Sequence, residues 1–395
     1  MRIAMITDPH LKPEGNKRDE ATGLNARFLD RSHSLRWAVN DARERGCKYL
    51  LFGGDMFATA HPKPYEIVAA MEAFSCFSPA VDGETNIIAI PGNHDMPRSA
   101  NEATAIEPVF AGVRGATVSL VPELIDCGAF QIVTLPYPRR AQLAAALPTY
   151  SSLAPEAADK LLAACLIDIL RGLHAQCDQR KPSILLAHTS IDVSEIRGSI
   201  MAERDICLPL REIPEFTIGA FGHIHAFQTF AKYGRHDFFH VGSTDRSDFG
   251  EEGQRKSYVV IDLDLPGWVE VEIPCREYKT FYAEFNSEGW AGDTLPDFSN
   301  GNSAKDAICR LKVKRPEHVK VDNSEAERRI REAGCFDFYG VEQTVTRDAA
   351  VRSEAVTKAQ TTEELLGVWH EAKSCKQPLP ELLALATTLE SEVAA

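Results

Sequence analysis

The sequence lacks the marks of several protein classes. No apolar run approaches the roughly 18 to 20 residues that a bilayer-spanning helix needs, and Met1 leads directly into a strand-like segment rather than a secretory signal. We therefore expect a cytoplasmic protein with no membrane partner. Its 10 cysteines form no Cys-x-x-Cys pair, so we interpret them as reduced, buried small side chains and not as zinc ligands. Internal repeats and low-complexity tracts are also missing.

Positive charge is scarce as well. The chain has 43 Lys and Arg against 57 Asp and Glu, and its formal net charge is −14. This balance argues against non-specific electrostatic binding of nucleic acid over the whole surface. It does not exclude a nuclease, because a metal centre and a few local basic side chains can hold phosphates on an otherwise acidic protein.

The length of 395 residues predicts two or three domains with ample apolar area for a main core. Helical and strand-like patterns alternate over the first two-thirds, which predicts a sheet flanked by helices. Beyond His225, short strands follow one another without helices and indicate an antiparallel set, expected at 227–231, 237–241, 258–263 and 269–273. We therefore expect a mixed sheet with flanking helices and a second sheet packed face to face with it.

The segment after Cys275 shows the pattern strand, polar loop, strand, helix and strand, which predicts a small α+β domain. A polar stretch at 346–360 has the character of a linker, and two helices are expected after it. The expected organisation is a catalytic domain at 1–274, a small α+β domain at 275–346, and a linker with C-terminal helices at 347–395.

Side chains that can bind metal ions follow five strand-like segments. In chain order these residues are Asp8, His10, Asp55, Asn93, His188, His223 and His225. The carboxyl ends of strands in open α/β sheets are the usual place of ligand binding. Taken singly, such residues are turn formers or structural histidines, but five strand ends that carry only Asp, Asn and His predict a two-metal hydrolytic site. Mixed oxygen and imidazole donors suit Mn, Fe or Zn, and two such ions can hold a hydroxide for in-line attack on phosphorus.

The order of the motifs is informative in itself. Asp-Pro-His, Gly-Gly-Asp, Gly-Asn-His-Asp, Ala-His-Thr and Gly-His-Ile-His resemble, in this order, the five sequence blocks of the calcineurin-like metallophosphoesterases. The resemblance implies a four-layer α/β/β/α sandwich with a binuclear metal centre. It implies that one metal is held by Asp8, His10, Asp55 and His225. It implies that the other metal is held by Asp55, Asn93, His188 and His223.

The same resemblance implies that His94 is the catalytic histidine, which protonates the leaving oxygen or stabilises the developing charge. Many relatives place an Asp or His three residues after the bridging aspartate, near this histidine, but here that position is Ala58. We consider Asp95 and His61 as the residues that orient His94 instead, and we count Asp95 with the catalytic residues.

Within this superfamily the chain most resembles the SbcD-type nuclease subunit of the DNA double-strand-break repair machinery. The segment from His240 to Glu251 resembles a Gly-Ser…Asp-Phe-x-Glu segment of those nucleases, and the small α+β domain matches their DNA-capping domain in place and size. The resemblance implies a metal-dependent 3′-to-5′ exonuclease and single-strand or hairpin endonuclease, with Mn²⁺ as the favoured ion. It also implies an SbcC-type ABC ATPase with a coiled coil as partner of the terminal helices, and a homodimer for which 103–113 is the candidate face.

Basic side chains in loops near the motifs are candidates for phosphate contacts, namely Lys63, Arg98, Arg139, Arg140 and Arg246. Each is equally well explained as an ordinary solvated charge. Two alternatives to a nuclease stay open. A small-molecule phosphomonoesterase or cyclic-nucleotide phosphodiesterase would use the same core without needing a capping domain, and a scaffold without metal would be expected to have lost ligands.

Overall fold

The computed structural model describes residues 1–77, 86–97, 102–147, 150–195, 206–265, 267–286, 289–290, 298, 303–321, 323–346, 361–373 and 377–393. The strands are β1 (Arg2–Ile6), β2 (Cys47–Phe52), β3 (Ile87–Ala89), β4 (Ala116–Val118), β5 (Glu123–Asp126), β6 (Gln131–Leu135), β7 (Ser183–His188), β8 (Ser190–Ile191), β9 (Cys207–Leu208), β10 (Ile218–Gly222), β11 (Gln228–Phe230), β12 (Arg235–His240), β13 (Ser257–Asp262), β14 (Gly267–Glu272), β15 (Tyr278–Asn286), β16 (Gly289–Trp290), β17 (Ile308–Pro316) and β18 (Asp337–Thr346). The helices are α1 (Ala26–Glu44), α2 (Pro64–Ser75), α3 (Glu107–Ala111), α4 (Arg140–Ala145), α5 (Pro155–His174), α6 (Asn323–Glu332), α7 (Thr362–Lys373) and α8 (Leu379–Val393).

The first sheet has the strand order β14-β13-β1-β2-β3-β4. Strands β1 to β4 run parallel, whereas β13 pairs antiparallel with both β1 and β14. Parallel neighbours need a crossover connection, and α1 and α2 provide it between β1, β2 and β3. Asn25 caps α1 by accepting the backbone N–H of Phe28, and Pro64 occupies the first turn of α2. The carboxyl ends of β1, β2 and β3 therefore share one edge.

The second sheet has the order β11-β12-β10-β7-β6-β5, with parallel pairing from β12 to β6 and antiparallel edges. The expectation of one antiparallel set beyond His225 is wrong. Strands β11 and β12 belong to this sheet, whereas β13 and β14 belong to the first. Alternating hydrophobicity predicts that a segment is a strand but does not reveal its partner strand. The sequence analysis also did not predict β4, β5 and β6, which lie before His225.

Buried side chains form three layers of core. In β7, Ile184 and Leu186 pack between the two sheets with Ile3 and Met5 of β1. The alternate residues of β7, such as Leu185, contact the outer face that α5 covers. A further cluster joins the other face of the first sheet to α1, α2 and α3. This arrangement confirms the expected four-layer α/β/β/α sandwich, and it explains why the central strands are apolar on both faces.

The chain forms two compact units. One consists of Met1–Thr280, Phe298–Arg310 and Glu327–Tyr339, and the other of Phe281–Asp297, Leu311–Ala326 and Gly340–Ala395. These units interleave along the chain, whereas the expected domains follow one another, so the boundaries at 274 and 346 stay predictions. The expected order of strand, strand, helix and strand after Cys275 is present as β15, β17, α6 and β18. Of the expected linker at 346–360, Thr346 ends β18, and residues 347–360 lie outside the described residues.

The cysteines of the described residues are free, as expected, but they are not uniformly buried. Cys47, Cys177 and Cys309 are buried, whereas Cys207 is exposed. Within the described part of the chain, no helix combines the length and the apolar character that crossing a membrane requires.

Leu186→Ala should lower the free energy of unfolding by about 2–5 kcal/mol, because Leu186 is fully buried between the sheets and its truncation leaves a cavity. Leu265→Ala is the matched control, since Leu265 is 73% exposed. Urea unfolding followed by circular dichroism measures both. Equal effects of the two substitutions would contradict the assignment of this inter-sheet layer as the core.

Candidate metal centre

Each predicted metal ligand lies at or just after the carboxyl end of a strand. Asp8 and His10 follow β1, Asp55 follows β2 and Asn93 follows β3. On the second sheet, His188 ends β7, and His223 and His225 follow β10. Because β1, β2 and β3 are parallel neighbours and β7 and β10 are too, the two sheets bring all seven side chains to one place.

The backbone at these strand ends is unusual. Asp8, His10, Asp55 and His223 adopt left-handed φ values of 53°, 44°, 55° and 84°. Among the other described residues that are not glycine, only Asp306 has a positive φ. Such conformations are costly and cluster at functional sites. Backbone hydrogen bonds from Asp8 N–H to Gly54 O (3.0 Å) and from His10 N–H to Asp55 O (3.1 Å) hold the two loops side by side.

The first group of side chains, which we call the first subsite, consists of Asp8, His10, Asp55 and His225. The Nε2 atoms of His10 and His225 lie 2.9 Å apart. His10 Nε2 also lies 3.8 Å from Asp8 Oδ1 and 3.5 Å from Asp55 Oδ2. One donor atom each from Asp8, His10 and His225 lies within 4.8 Å of the others. Two imidazole nitrogens directed at each other beside carboxylates fit a cation between them.

The second subsite consists of Asp55, Asn93, His188 and His223. Asn93 Oδ1 lies 3.1 Å from His188 Nε2 and 3.0 Å from His223 Nδ1. His188 Nε2 is 3.5 Å from Asp55 Oδ2, which is the same separation that this oxygen has from His10 Nε2. This carboxylate oxygen is equidistant from one imidazole of each subsite, so Asp55 is shared by the two groups.

The remaining ring nitrogens fix the tautomers. His188 Nδ1 lies 2.6 Å from the carbonyl oxygen of Gly53, and a carbonyl only accepts, so Nδ1 carries the proton and Nε2 presents its lone pair to the pocket. His225 Nδ1 lies 2.6 Å from a carboxylate oxygen of Glu251, with the same consequence. Neutral imidazoles whose far nitrogen donates to a carbonyl or carboxylate are the form that metal-binding histidines adopt. The donor set therefore fits two divalent ions.

Burial and neighbouring charge act against each other in the pocket. Burial lowers the pKa of His10 and raises the pKa of Asp8, where the charge of Asp55 adds to the rise. Burial would also raise the pKa of Asp55, but the imidazoles of His188 and His10 outweigh it and hold that pKa well below its ordinary value. In return, Asp55 and Asp8 outweigh the burial of His188 and raise its pKa to about 9. The pocket thus attracts positive charge, which a bound cation supplies in place of a proton.

Asp95 binds backbone groups of the neighbouring motif loops. It is fully buried, and its carboxylate accepts backbone N–H groups of Asp55 (2.7 Å), Gly92 (2.9 Å) and Phe57 (3.4 Å). Burial raises its pKa to about 8, and the charge of Asp55 adds to the rise. The Asp95 carboxylate thereby ties two motif loops together, and its place among the catalytic residues stays a prediction.

The orientation of His94 comes from the backbone. His94 Nδ1 lies 3.0 Å from the carbonyl oxygen of Ala58, at the position where relatives carry an Asp or His. The His94 ring packs edge to face against that of His10, with centroids 4.9 Å apart. The backbone N–H of His94 donates to Asp55 Oδ1 at 2.8 Å. His61, the other candidate, is exposed. The side chain of Ala58 cannot orient His94, but its backbone carbonyl accepts the hydrogen bond instead.

Two of the proposed phosphate-contact residues are engaged inside the protein. Arg246 is 5% exposed and donates to the carbonyl oxygens of Gln254 (2.9 Å) and Arg276 (3.1 Å). Its guanidinium holds chain segments together, and its contact with phosphate stays a prediction. Arg140 forms an ion pair with Asp159. A position in a loop near a motif does not reveal such partners.

The other basic candidates are less constrained. Lys63 is exposed at the start of α2. Arg139 is half-buried, and its Nη2 lies 3.1 Å from the sulfur of Met96, two residues beyond His94. Arg98 lies outside the described residues. The phosphate-contact roles of these three residues stay predictions.

Tyr137 borders the centre although the sequence reasoning did not include it. Its ring centroid lies 6.1 Å from that of His188 and 6.0 Å from that of His223. It follows β6, and its N–H bonds the carbonyl of Pro91 at 3.1 Å. The strand-like segment from Phe130 to Leu135, which Pro136 ends, was the available signal, because it predicts one more strand directly before Tyr137.

Comparison with known proteins agrees with this geometry. The sequence profile described as calcineurin-like phosphoesterase matches residues 1–227. The chain belongs to the calcineurin-like phosphoesterase family. Membership implies a hydrolase that acts on phosphoester bonds, and the family binds divalent metal ions.

Individual relatives are distant. Over 271 residues the chain is 22% identical to the DNA double-strand break repair protein Mre11 of Methanocaldococcus jannaschii, and the alignment covers 65% of this chain and 63% of that protein. Similar solved structures include a novel archaeal phosphodiesterase (11% identity, TM-score 0.33, covering 69% of this chain and 100% of that one). Another is a dimetal phosphatase from Danio rerio (11% identity, TM-score 0.39, covering 69% and 95%). The family assignment rests on the profile match and not on these structures.

Gly92→Ala should abolish metal binding. A Cβ at Gly92 would lie 2.2 Å from Asp55 Oδ1 and 2.6 Å from Asp55 N, so the carboxylate shared by the two subsites has to move. Gly172→Ala is the control, because a Cβ there meets nothing within 4 Å and a helical Gly→Ala change stabilises by up to about 1 kcal/mol. Elemental analysis after dialysis against Mn²⁺ gives the metal content per chain. A Gly92→Ala protein with wild-type metal content would contradict the geometry.

Proposed function

We propose that this protein is a metal-dependent DNA nuclease that hydrolyses phosphodiester bonds in DNA repair or recombination, as a 3′-to-5′ exonuclease and an endonuclease on single strands or hairpins. The observation that carries the proposal is the convergence of two subsites on Asp55, whose Oδ2 is 3.5 Å from His10 and 3.5 Å from His188. Its family acts on phosphoester bonds, and the similarity to the DNA repair protein Mre11 supports DNA as the substrate.

The seven side chains would hold two divalent ions. Mn²⁺ is the proposed ion at both positions, and Fe²⁺ and Zn²⁺ are the alternatives. Bound ions of this kind polarise a phosphoryl oxygen and lower the pKa of a water molecule. The proposed ligands of the first subsite are Asp8, His10, Asp55 and His225. The proposed ligands of the second are Asp55, Asn93, His188 and His223.

His94 is the proposed catalytic residue of the chain itself. Because the Ala58 carbonyl accepts from Nδ1–H, His94 Nε2 is the nitrogen left to act on substrate. One donor atom each from His94, His10 and Asp55 lies within 4.8 Å of the others, so the ring borders the first subsite without a place in either ligand set. A protonated Nε2 at this point donates to the leaving oxygen as the ester bond breaks.

The proposed partners follow from the same relationship. A DNA repair nuclease of this type would act with an SbcC-type ABC ATPase docked on α7 and α8, as a homodimer through 103–113, in the cytoplasm. The β15–β18 sheet with α6 would cap DNA. The support for these statements is the similarity to Mre11 and the presence of this α+β segment after the catalytic core.

A small-molecule phosphodiesterase or phosphomonoesterase is the second candidate. Arg246 and Arg140 make intramolecular contacts, and the net charge is −14, which favours a substrate that needs no long basic groove. Linear duplex DNA and bis-p-nitrophenyl phosphate, each with Mn²⁺, discriminate between the candidates. Turnover of only the small ester, with DNA left intact even in the presence of the ATPase, would remove the nuclease proposal.

His94→Ala should reduce cleavage by about 10²–10⁴-fold while metal content stays at the wild-type level, because general acid catalysis contributes that much and His94 is outside the ligand sets. Asp55→Ala should lose both activity and metal, since it removes the shared carboxylate. His61→Ala serves as the control for replacing an exposed histidine nearby. Nucleotide release from duplex DNA and elemental analysis are the measurements. Undiminished cleavage by His94→Ala would refute its assignment.

A further inference from the structure

A buried carboxylate lies directly behind a ligand of the first subsite. Glu251 is 9% exposed, and its Oε1 lies 2.6 Å from His225 Nδ1. Its Oε2 lies 2.7 Å from Lys256 Nζ and accepts the backbone N–H of Ser247 at 2.8 Å. The two oxygens of Glu251 therefore make different contacts. Oε1 orients the imidazole of His225, and the contacts of Oε2 hold the carboxylate in place.

Lys256, the partner of Glu251, also contacts the main chain of His225. It is 1% exposed, and its Nζ donates to the backbone carbonyl of His225 at 3.1 Å and to Ser243 Oγ at 2.9 Å. The His225 carbonyl also accepts the N–H of Ser243 at 3.0 Å. One buried ion pair thus restrains both the ring of His225, through Glu251, and its main chain, through Lys256.

In the second subsite, the ligand His188 is oriented by a neutral group. The far nitrogen of His188 donates to the neutral carbonyl of Gly53, and Asn93 contributes a neutral oxygen. The first subsite has the carboxylate of Asp8 as well as the shared Asp55. Its ligand His225 also donates to the carboxylate of Glu251, whose own charge is paired with Lys256. The two subsites therefore differ in negative charge, and a carboxylate behind an imidazole makes that imidazole a stronger donor to metal.

We propose that Glu251, clamped by Lys256, is a positioning residue of the first subsite, and that it makes this subsite the tighter of the two for a divalent cation. The inference rests on the proposed function only in taking His225 as a metal ligand. It does not require DNA to be the substrate.

The test is titration of Mn²⁺ into the chelated full-length protein by calorimetry, with Co²⁺ absorption spectra as a second readout. The wild type should show two binding steps, and Asn93→Ala should weaken the looser one, which identifies the second subsite. Glu251→Gln keeps an acceptor for His225 but removes the charge, and it should weaken the tighter step by about 10–100-fold. Glu252→Gln is the matched control, because the neighbouring Glu252 is exposed and bonds Thr280 instead.

A double variant separates positioning from folding. Removing one partner of a buried ion pair leaves the other charge unpaired, which destabilises a protein, whereas Glu251→Gln with Lys256→Met removes the pair as a unit. The proposal expects the tighter step to stay weak in the double variant, with its thermal unfolding in chelator close to that of wild type. Recovery of wild-type affinity in the double variant, or an unchanged tighter step in Glu251→Gln, would overturn it. A protein that binds metal in this way but leaves DNA intact would refute the nuclease and not this inference.

Discussion

The carboxylate of Asp55 is the constraint on which the rest of the structure depends. It is a buried negative charge, which is costly unless cations or donors surround it. Its Oδ2 faces one imidazole from each sheet, and its Oδ1 accepts the N–H of His94. Both sheets must therefore end at the same edge and at the same depth. The close approach of Gly92 to Asp55 follows from this requirement, because any side chain there would displace the shared oxygen.

Sequence patterns were sufficient for the parts of the protein that local chemistry determines. Asp, Asn and His at five strand ends predicted which side chains would meet, and the strand and helix periods predicted sheets with covering helices. The pairing of β13 with β1 was not predictable, since the residues concerned are separated by more than 200 positions and alternation carries no partner information.

The contacts at the site that the sequence could not predict have a shared physical origin. Asp95, Ala58 and Arg246 were interpreted from side chains alone, but each takes part in a contact that involves a main-chain group. Asp95 accepts N–H donors, Ala58 offers its carbonyl, and Arg246 donates to carbonyls. Almost any residue can supply a backbone N–H or C=O, so such contacts cannot be identified from the amino-acid sequence. The same holds for Gly53, whose carbonyl selects the tautomer of His188.

The left-handed backbone at Asp8, His10, Asp55 and His223 affects how these motifs persist during evolution. Asn, Asp and His are the residue types, other than glycine, that enter this region of φ/ψ space most readily. They are also among the residue types that coordinate metals. Selection for a stable loop and selection for coordination therefore favour the same letters at these positions. In a descendant that no longer binds metal, the conformational constraint would remain at these four positions, so loss of ligands should begin at Asn93, His188 and His225, whose backbone is not left-handed.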